Sequence, residues 1–273
     1  MKKTLIALLA LSGIAGAQVV VYDFNNSSTS PSYGTYEDVA FIQSGSFDND
    51  GMTTGKSVTL NEKSITIKSQ AGTGQSRNFN TADNENWSAG NLPSVVDNLG
   101  LTDATLSTLC SSSIAVYGSS NNTSFPGIIS VEISGLGKGT YEFSALSART
   151  SGTMAPTTWS ITLGATEWTA SDYANNSSYY IYDSASQEWD KENGQPITAK
   201  STTGNAVYSV FKVNVATDNT TLRLTLGGVD GTAAADNANK ALQFVALKSI
   251  PEPTTATLSL LALAGLAARR RRK

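Results

Sequence analysis

The strongest indication of the fold is the segment Ile133-Ser134-Gly135-Leu136-Gly137-Lys138-Gly139-Thr140-Tyr141-Glu142-Phe143. Apolar and polar residues alternate on both sides of its three glycines, which is the period of a half-buried antiparallel strand. Glycine adopts the positive φ that tight turns need. The segment therefore predicts a β-hairpin that buries one face.

Similar short runs recur along the chain, separated by Gly, Asn, Asp and Ser. A second hairpin is predicted from residues 213–215 and 222–224, which flank Asp218-Asn219. Many short strands with frequent turns are typical of a sandwich or barrel, and we predict an all-β, antiparallel, jelly-roll-like β-sandwich. The predicted strands are 19–24, 39–47, 57–60, 64–69, 114–117, 128–133, 140–148, 158–163, 179–182, 207–215, 221–226 and 242–247.

Residues 92–111 depart from this pattern. Pro93 stands near a helix start, Gly100 is a stop signal, and Thr102-Asp103 forms a cap before an apolar-periodic run. We predict a two-helix insertion, joined at Gly100, that covers one end of the sandwich. Cys110, the single cysteine, follows Leu109 and is expected to be a small buried residue.

Composition excludes several classes of function. The 273 residues include no histidine, which removes Ser-His-Asp and Cys-His mechanisms and histidine-ligated metals. Residues 18–250 carry 12 basic and 21 acidic groups. This acidic body disfavours nucleic acid as a partner.

The first 17 residues predict a secretory signal peptide. Lys2 and Lys3 precede an apolar run at residues 5–11, and Ala15 and Ala17 form a small-x-small cleavage site, so the mature chain would begin at Gln18. An N-terminal membrane anchor is the alternative, but the apolar run is too short for one.

The other end has three parts. Pro251-Glu252-Pro253 is followed by an apolar stretch to Ala268 and then by five basic residues. As a helix, about 14 residues span roughly 21 Å, less than the roughly 30 Å of a bilayer core. That length suits a transient signal in the inner membrane better than a permanent anchor. The basic residues are Arg269, Arg270, Arg271, Arg272 and Lys273.

This tripartite end resembles the PEP-CTERM sorting domain, over residues 251–273. The resemblance implies recognition by an exosortase, cleavage near the Pro-Glu-Pro triplet, and an origin among exopolysaccharide-producing bacteria. An ordinary tail anchor with a chance triplet is the alternative. The organisation we predict is a signal peptide (1–17), a β-sandwich domain (18–249) and a sorting signal (250–273).

The central hairpin, with Arg149 downstream and a closing strand at residues 241–247, resembles galactose-binding-like jelly-roll modules of the kind found in carbohydrate-binding proteins. That resemblance implies a binding role rather than a specific ligand, because a fold alone does not define function.

Aromatic residues crowd between positions 159 and 189 among Asn, Ser, Asp and Gln. Sugar faces stack on aromatic rings while amides and carboxylates bind hydroxyls, so this mixture suits a saccharide site. The candidates are Trp168, Tyr173 and Trp189, together with Trp87 elsewhere. Core packing is the alternative for these rings, and we expect it for Trp159 and Tyr141.

Two groups of carboxylates are candidates for chemistry. Glu132, Glu142 and Glu167 could in principle serve a glycosidase, but alternating strand positions favour a solvated outer face over catalysis. Asp48 and Asp50, in Asp48-Asn49-Asp50-Gly51, resemble the start of a calcium loop, although a plain turn rich in Asp and Asn is favoured. No cofactor is expected beyond a possible structural Ca²⁺.

Together these features predict an exported, exosortase-sorted protein of the cell surface or extracellular matrix, and a non-catalytic glycan-binding module. A structural surface protein without a ligand and a divergent glycan-active hydrolase are the alternatives.

Overall fold

Two large β-sheets pack face to face, with a small third sheet beside them. The computed structural model describes residues 18–24, 32–46, 48, 51–71, 77–81, 92, 96–116, 129–148, 158–183, 185–196, 206–226 and 240–250. Within them the strands are β1 Val19–Asp23, β2 Val39–Gln43, β3 Lys56–Leu60, β4 Lys63–Ala71, β5 Arg77–Thr81, β6 Ser112–Val116, β7 Ile129–Leu136, β8 Gly139–Ala148, β9 Trp159–Leu163, β10 Thr166–Glu167, β11 Ser177–Asp183, β12 Glu188–Asn193, β13 Ala206–Val215, β14 Thr220–Leu226, β15 Lys240–Leu242 and β16 Phe244–Ile250. The helices are α1 Asp103–Leu109 and α2 Ala170–Asn176, with a 3-10 turn at Asp97–Leu99.

The strand order confirms the predicted β-sandwich. One sheet has the order β12-β11-β13-β8-β16-β1-β2, the facing sheet β10-β9-β14-β7-β4-β3, and the small sheet β15-β6-β5. The pairing in the described residues is antiparallel with one exception: β2 lies parallel to β1, with Val19 opposite Val39 and Asp23 opposite Gln43. The last strand, β16, lies inside its sheet between β8 and β1.

The two strands predicted from the central segment are confirmed as β7 and β8, but the prediction that they form a hairpin was wrong. β7 pairs with β4 and β14 in the six-stranded sheet, and β8 pairs with β13 and β16 in the other sheet, so the turn between them connects the two sheets. The second predicted hairpin was wrong for the same reason, because β13 and β14 also belong to different sheets. Gly135 has φ +82°, and a Cβ there would lie 2.9 Å from the Ser64 carbonyl oxygen, so the position requires glycine for both conformation and space. The Lys138 N–H of the turn between β7 and β8 donates to Asp218 Oδ1 at 2.9 Å, which joins this turn to the turn between β13 and β14.

The main core fills the space between the two sheets. It consists of alternate residues of their strands, including Tyr22, Phe143, Phe211 and Leu224. Trp159 is fully buried and Tyr141 is 5% exposed, so the prediction that both rings are core residues is confirmed.

A second apolar layer covers the outer face of the seven-stranded sheet. Val21, Leu146 and Phe244 point outward from it and pack beneath Leu106 and Leu109 of α1. The predicted insertion at Gly100 is confirmed, with Gly100 at φ +66° and Thr102 capping α1. Its predicted position was wrong: the helix covers a sheet face rather than an end, because both faces of the central strands are apolar.

Cys110, which follows α1, belongs to this second apolar layer and is fully buried. Burial raises the pKa of its thiol, and the nearby Asp23 carboxylate raises it further. The thiol is therefore unreactive, as the sequence suggests for a small core residue.

Some elements were not predicted. β12 has the sequence Glu-Trp-Asp-Lys-Glu-Asn and α2 follows the cap at Thr169. The predicted strand 242–247 is interrupted at Gln243, whose buried side chain bonds to the backbone of Ala148. Among the residues that the structure describes, no helix has the length and apolar character to span a bilayer.

Candidate functional site

Apart from Tyr179, which packs against Val207 and Ala241, the aromatic residues between 159 and 189 divide between two places in the fold. Trp159, Trp168 and Tyr173 belong to the core between the sheets. Tyr180, Tyr182 and Trp189 lie on the outer face of the seven-stranded sheet, near its β12 edge. We call these last three residues the aromatic row.

Tyr173 offers no free ring face for a ligand, contrary to the interpretation of it as a binding candidate. It is 2% exposed, and its hydroxyl accepts a hydrogen bond from the Ile161 N–H at 2.8 Å. Burial raises the pKa of the phenol. The helix α2 places Tyr173 in the core. The residues around Tyr173 in the sequence are mostly polar, so the sequence does not indicate that its side chain is buried.

Trp168 is half-buried and packs at the edge of the core, beside Tyr173. Its ring packs edge-on against Tyr173, with centroids 5.4 Å apart, and against Phe211 at 6.2 Å. Its backbone N–H donates to the Ile161 carbonyl. These contacts favour the packing interpretation of Trp168 over ligand stacking.

The aromatic row is built by the register of the β11–β12 hairpin. Tyr182 is opposite Trp189, with ring centroids 5.3 Å apart, and Tyr180 is opposite Lys191, whose Nζ lies 5.8 Å from the ring centroid. Since alternate residues share a face of a strand, Ser178 and Asn193, the next pair of that parity, continue the row. The face thus presents rings at one end and a hydroxyl and an amide at the other.

Buried side chains of the sheet support the aromatic row from below. Tyr180 packs against the buried ring of Tyr208 at 6.5 Å, and the Tyr208 hydroxyl donates to Asn98 Oδ1 at 3.0 Å. The remaining residues of β12, Glu188, Asp190 and Glu192, lie on the opposite face of the strand. Half-buried rings held on a sheet need little ordering to bind a flat apolar surface.

The carboxylates of Glu132 and Glu142 lie on opposite outer faces of the sandwich. Glu132 is on β7 of the six-stranded sheet, and Glu142 is on β8 of the other sheet, where it accepts from Asn98 Nδ2. Facing sheets are about 10 Å apart, so two outward carboxylates are farther apart than the roughly 5–9.5 Å of glycosidase pairs. These two residues do not form a catalytic pair.

Glu132 instead joins two cations beside a groove of about 200 Å³. Lys68 Nζ lies 2.8 Å from Glu132 Oε1, and the Arg223 guanidinium donates to Glu132 Oε2. The hydrogen bonds from Arg223 and then Lys68 hold the pKa of this carboxyl below its usual value of 4.5.

We expect Glu132→Gln to lower the free energy of unfolding by at most about 1 kcal/mol at neutral pH, because the pair is partly solvated. A lowered folded-state pKa contributes stability above the unfolded value, and this contribution is lost as pH falls through the folded-state pKa. Urea unfolding of both proteins from pH 7 into the acid range should show the difference vanish in acid. A difference independent of pH would contradict the ion-pair explanation.

The predicted calcium loop is described only in part. Asp48 Oδ1 accepts the Met52 N–H at 2.9 Å, and the Gly51 N–H donates to the Asp48 carbonyl at 3.1 Å, which is a turn closed by an aspartate side chain. Asp50 lies outside the described residues. Among those described, no group of three His, Cys, Asp or Glu residues could hold a metal ion.

Several other predicted residues also lie outside the described part of the chain. They are Trp87, Ala15, Ala17, Pro251, Glu252, Pro253, Arg269, Arg270, Arg271 and Arg272. Gln18, the predicted first residue of the mature chain, immediately precedes β1, and its side-chain Oε1 accepts the Asn61 N–H at 2.6 Å. Glu167, the remaining carboxylate candidate, is exposed on β10.

Residues 249–273 match the PEP-CTERM protein-sorting motif. The predicted resemblance is therefore confirmed, and the match extends two residues upstream of Pro251, into β16. A search of curated proteins finds no match to the chain. The motif implies a protein that is exported and sorted to the cell surface by an exosortase.

Solved structures of carbohydrate-active proteins are similar to the sandwich at low scores. The exo-β-1,3-galactanase from Phanerochaete chrysosporium has a TM-score of 0.28 and 12% identity, covering 71% of this chain and 29% of that one. The CBM35 module from Cellvibrio japonicus has a TM-score of 0.26 and 12% identity, covering 48% and 70%. A CBM36 module in complex with calcium and xylotriose has a TM-score of 0.23 and 14% identity, covering 48% and 76%. The strand ladders, rather than these scores, establish the fold.

Proposed function

We propose that the sorted domain is a non-catalytic glycan-binding module of the cell surface or extracellular matrix, and that the aromatic row is its binding surface. The observation that supports this proposal is the ladder of Tyr182 and Trp189, Tyr180 and Lys191, and Ser178 and Asn193 across one exposed hairpin. Rings stack on the apolar faces of sugars, while the amide, hydroxyl and ammonium groups bind sugar hydroxyls.

The row lies on regular strands rather than on loops, so its side chains are held at fixed spacing. Successive pairs on one face are about 6.7 Å apart along a strand. The rings are half-buried, which leaves part of each available to a ligand. A partner with repeated hydroxylated rings, such as an extracellular polysaccharide, matches this arrangement.

The test is a glycan-array screen of the purified chain, with and without calcium, followed by titration of any bound glycan. Trp189→Ala should weaken binding roughly thirtyfold, the effect of losing a contact worth about 2 kcal/mol. Tyr179→Ala is the matched control, because Tyr179 is the half-buried neighbour of Tyr180 on the opposite face of β11.

Equal loss of affinity in both variants would refute the assignment to this face. A folded chain that binds no glycan would favour the structural surface role. Binding that requires calcium would move the site to the turn at Asp48, where a structural Ca²⁺ remains a proposal.

A further inference from the structure

The two ends of the described chain meet at one end of the sandwich. The Ser249 N–H donates to the Gln18 carbonyl at 3.1 Å, and Val19 is paired with Lys248. Gln18 also accepts the Asn61 N–H from the turn of the facing sheet, at 2.6 Å. The predicted signal-peptide junction and the sorting motif are therefore adjacent in the fold.

Turns between consecutive strands form the rest of this surface. The turns after β3, β7 and β13 all lie at this end, because those strands run toward it. Asp218 links two of the turns, accepting the Lys138 N–H at 2.9 Å and lying 4.0 Å from Lys63 Nζ. We call this surface, formed by Gln18, Asn61, Lys138, Ala216, Asp218 and Ile250, the export end.

The sorting motif begins inside the sheet. Its first two residues, Ser249 and Ile250, are the last two of β16 and are paired with Tyr141 and Thr140 of β8. Because β1 flanks β16 on its other side, this strand cannot swing away from the domain without breaking two ladders. The direction in which the chain leaves the domain is fixed.

The linker that follows is short. Four residues separate Ile250 from the apolar stretch that begins at Thr255, and fully extended they span at most about 14 Å. The headgroup layer on one side of a bilayer occupies roughly 6 Å of that distance. While the apolar stretch is in the membrane, the linker is therefore too short to separate the folded domain from the lipid headgroups.

We propose that the export end is the surface that the anchored precursor holds against the lipid headgroups. This inference rests on the sorting motif and on membrane insertion of the apolar stretch, and it is independent of glycan binding. It places the turn between β11 and β12 at the far end, since β11 runs away from the export end alongside β13, which is about 33 Å long. The Tyr182 and Trp189 end of the aromatic row then points outward from the cell.

The experiment uses the chain from Gln18 to Lys273, without the predicted signal peptide, reconstituted in vesicles of phosphatidylethanolamine and phosphatidylglycerol with nitroxide-labelled headgroups. Ala216→Cys at the export end and Ala185→Cys at the far end are matched, since both are exposed alanines in short connections between consecutive strands. A thiol dye on each reports its proximity to the headgroups, and the native Cys110 is buried and does not label. We expect the Ala216→Cys dye to lose most of its fluorescence and the Ala185→Cys dye to retain it.

Two further chains test the tether itself. A flexible Gly-Ser spacer of about ten residues after Ile250 should relieve the quenching, because such a linker spans roughly 18 Å on average. A chain that ends at Ile250 should show no quenching. Equal quenching at both positions, stronger quenching at Ala185→Cys, or quenching that persists in either further chain would overturn the proposal.

Discussion

Replacing Phe211 with alanine is expected to remove about 3–5 kcal/mol from the free energy of unfolding. Phe211 is fully buried and its ring lies about 6 Å from three others: Phe143 at 6.1 Å, Trp159 at 6.0 Å and Trp168 at 6.2 Å. The substitution leaves a cavity where strands of both sheets and the segment before α2 meet. A loss of this size is a large part of the total stability of a typical domain.

Urea unfolding followed by tryptophan fluorescence measures this loss. Phe41→Ala is the matched control, because Phe41 is half-buried on the edge strand β2 and stacks on Tyr33 at 4.4 Å. We expect roughly half the effect there, in proportion to the apolar area that is buried. A loss below about 1 kcal/mol for Phe211→Ala would mean that the sheets close around the cavity.

Gln243→Leu is expected to cost about 2–4 kcal/mol, through unpaired polar groups rather than lost packing. Gln243 is fully buried. Its Oε1 accepts the Ala148 N–H at 2.7 Å and its Nε2 donates to the Ala148 carbonyl, so one side chain pairs both backbone groups at the end of β8. Leucine keeps the approximate volume but leaves both groups buried without a partner.

The same unfolding experiment with Gln70→Leu provides the control. Gln70 is an exposed residue of β4, and surface substitutions of this kind change stability by about 0.5 kcal/mol or less. If the two leucine variants are equally stable, a rearranged backbone or a water molecule must replace the lost bonds at Ala148.

The regular part of the fold follows from local patterns. The alternation in 133–143 predicts β7 and the first half of β8, because buried and partly exposed residues alternate there, whereas the second half of β8 is buried on both faces. β12 was missed because five of its six residues are polar or charged, and it forms only through pairing with β11. The parallel direction of β2 is set by long-range pairing with β1, on which local sequence has no bearing.

The candidate site was predicted less completely for a similar reason. Trp189 and Tyr173 both occur in polar sequence, yet β12 brings Trp189 to an outer face while α2 turns Tyr173 into the core. Tyr180 and Tyr182 become part of the row only through the register of the hairpin. Whether a single ring is buried depends on which strands or helices pack against it, and these elements come from distant parts of the chain.

The central place of β16 also sets the order of events during synthesis and export. The seven-stranded sheet is incomplete until β16, which ends in the first residues of the sorting motif, pairs between β8 and β1; its partners in β8 precede it by about a hundred residues. Such non-local pairing is slow to form. A chain that crosses the membrane from its N-terminus therefore remains without its full sheet until nearly all of it has passed through. The ladders of β16 with β8 and β1 can form only after the residues that begin the sorting motif are available to pair.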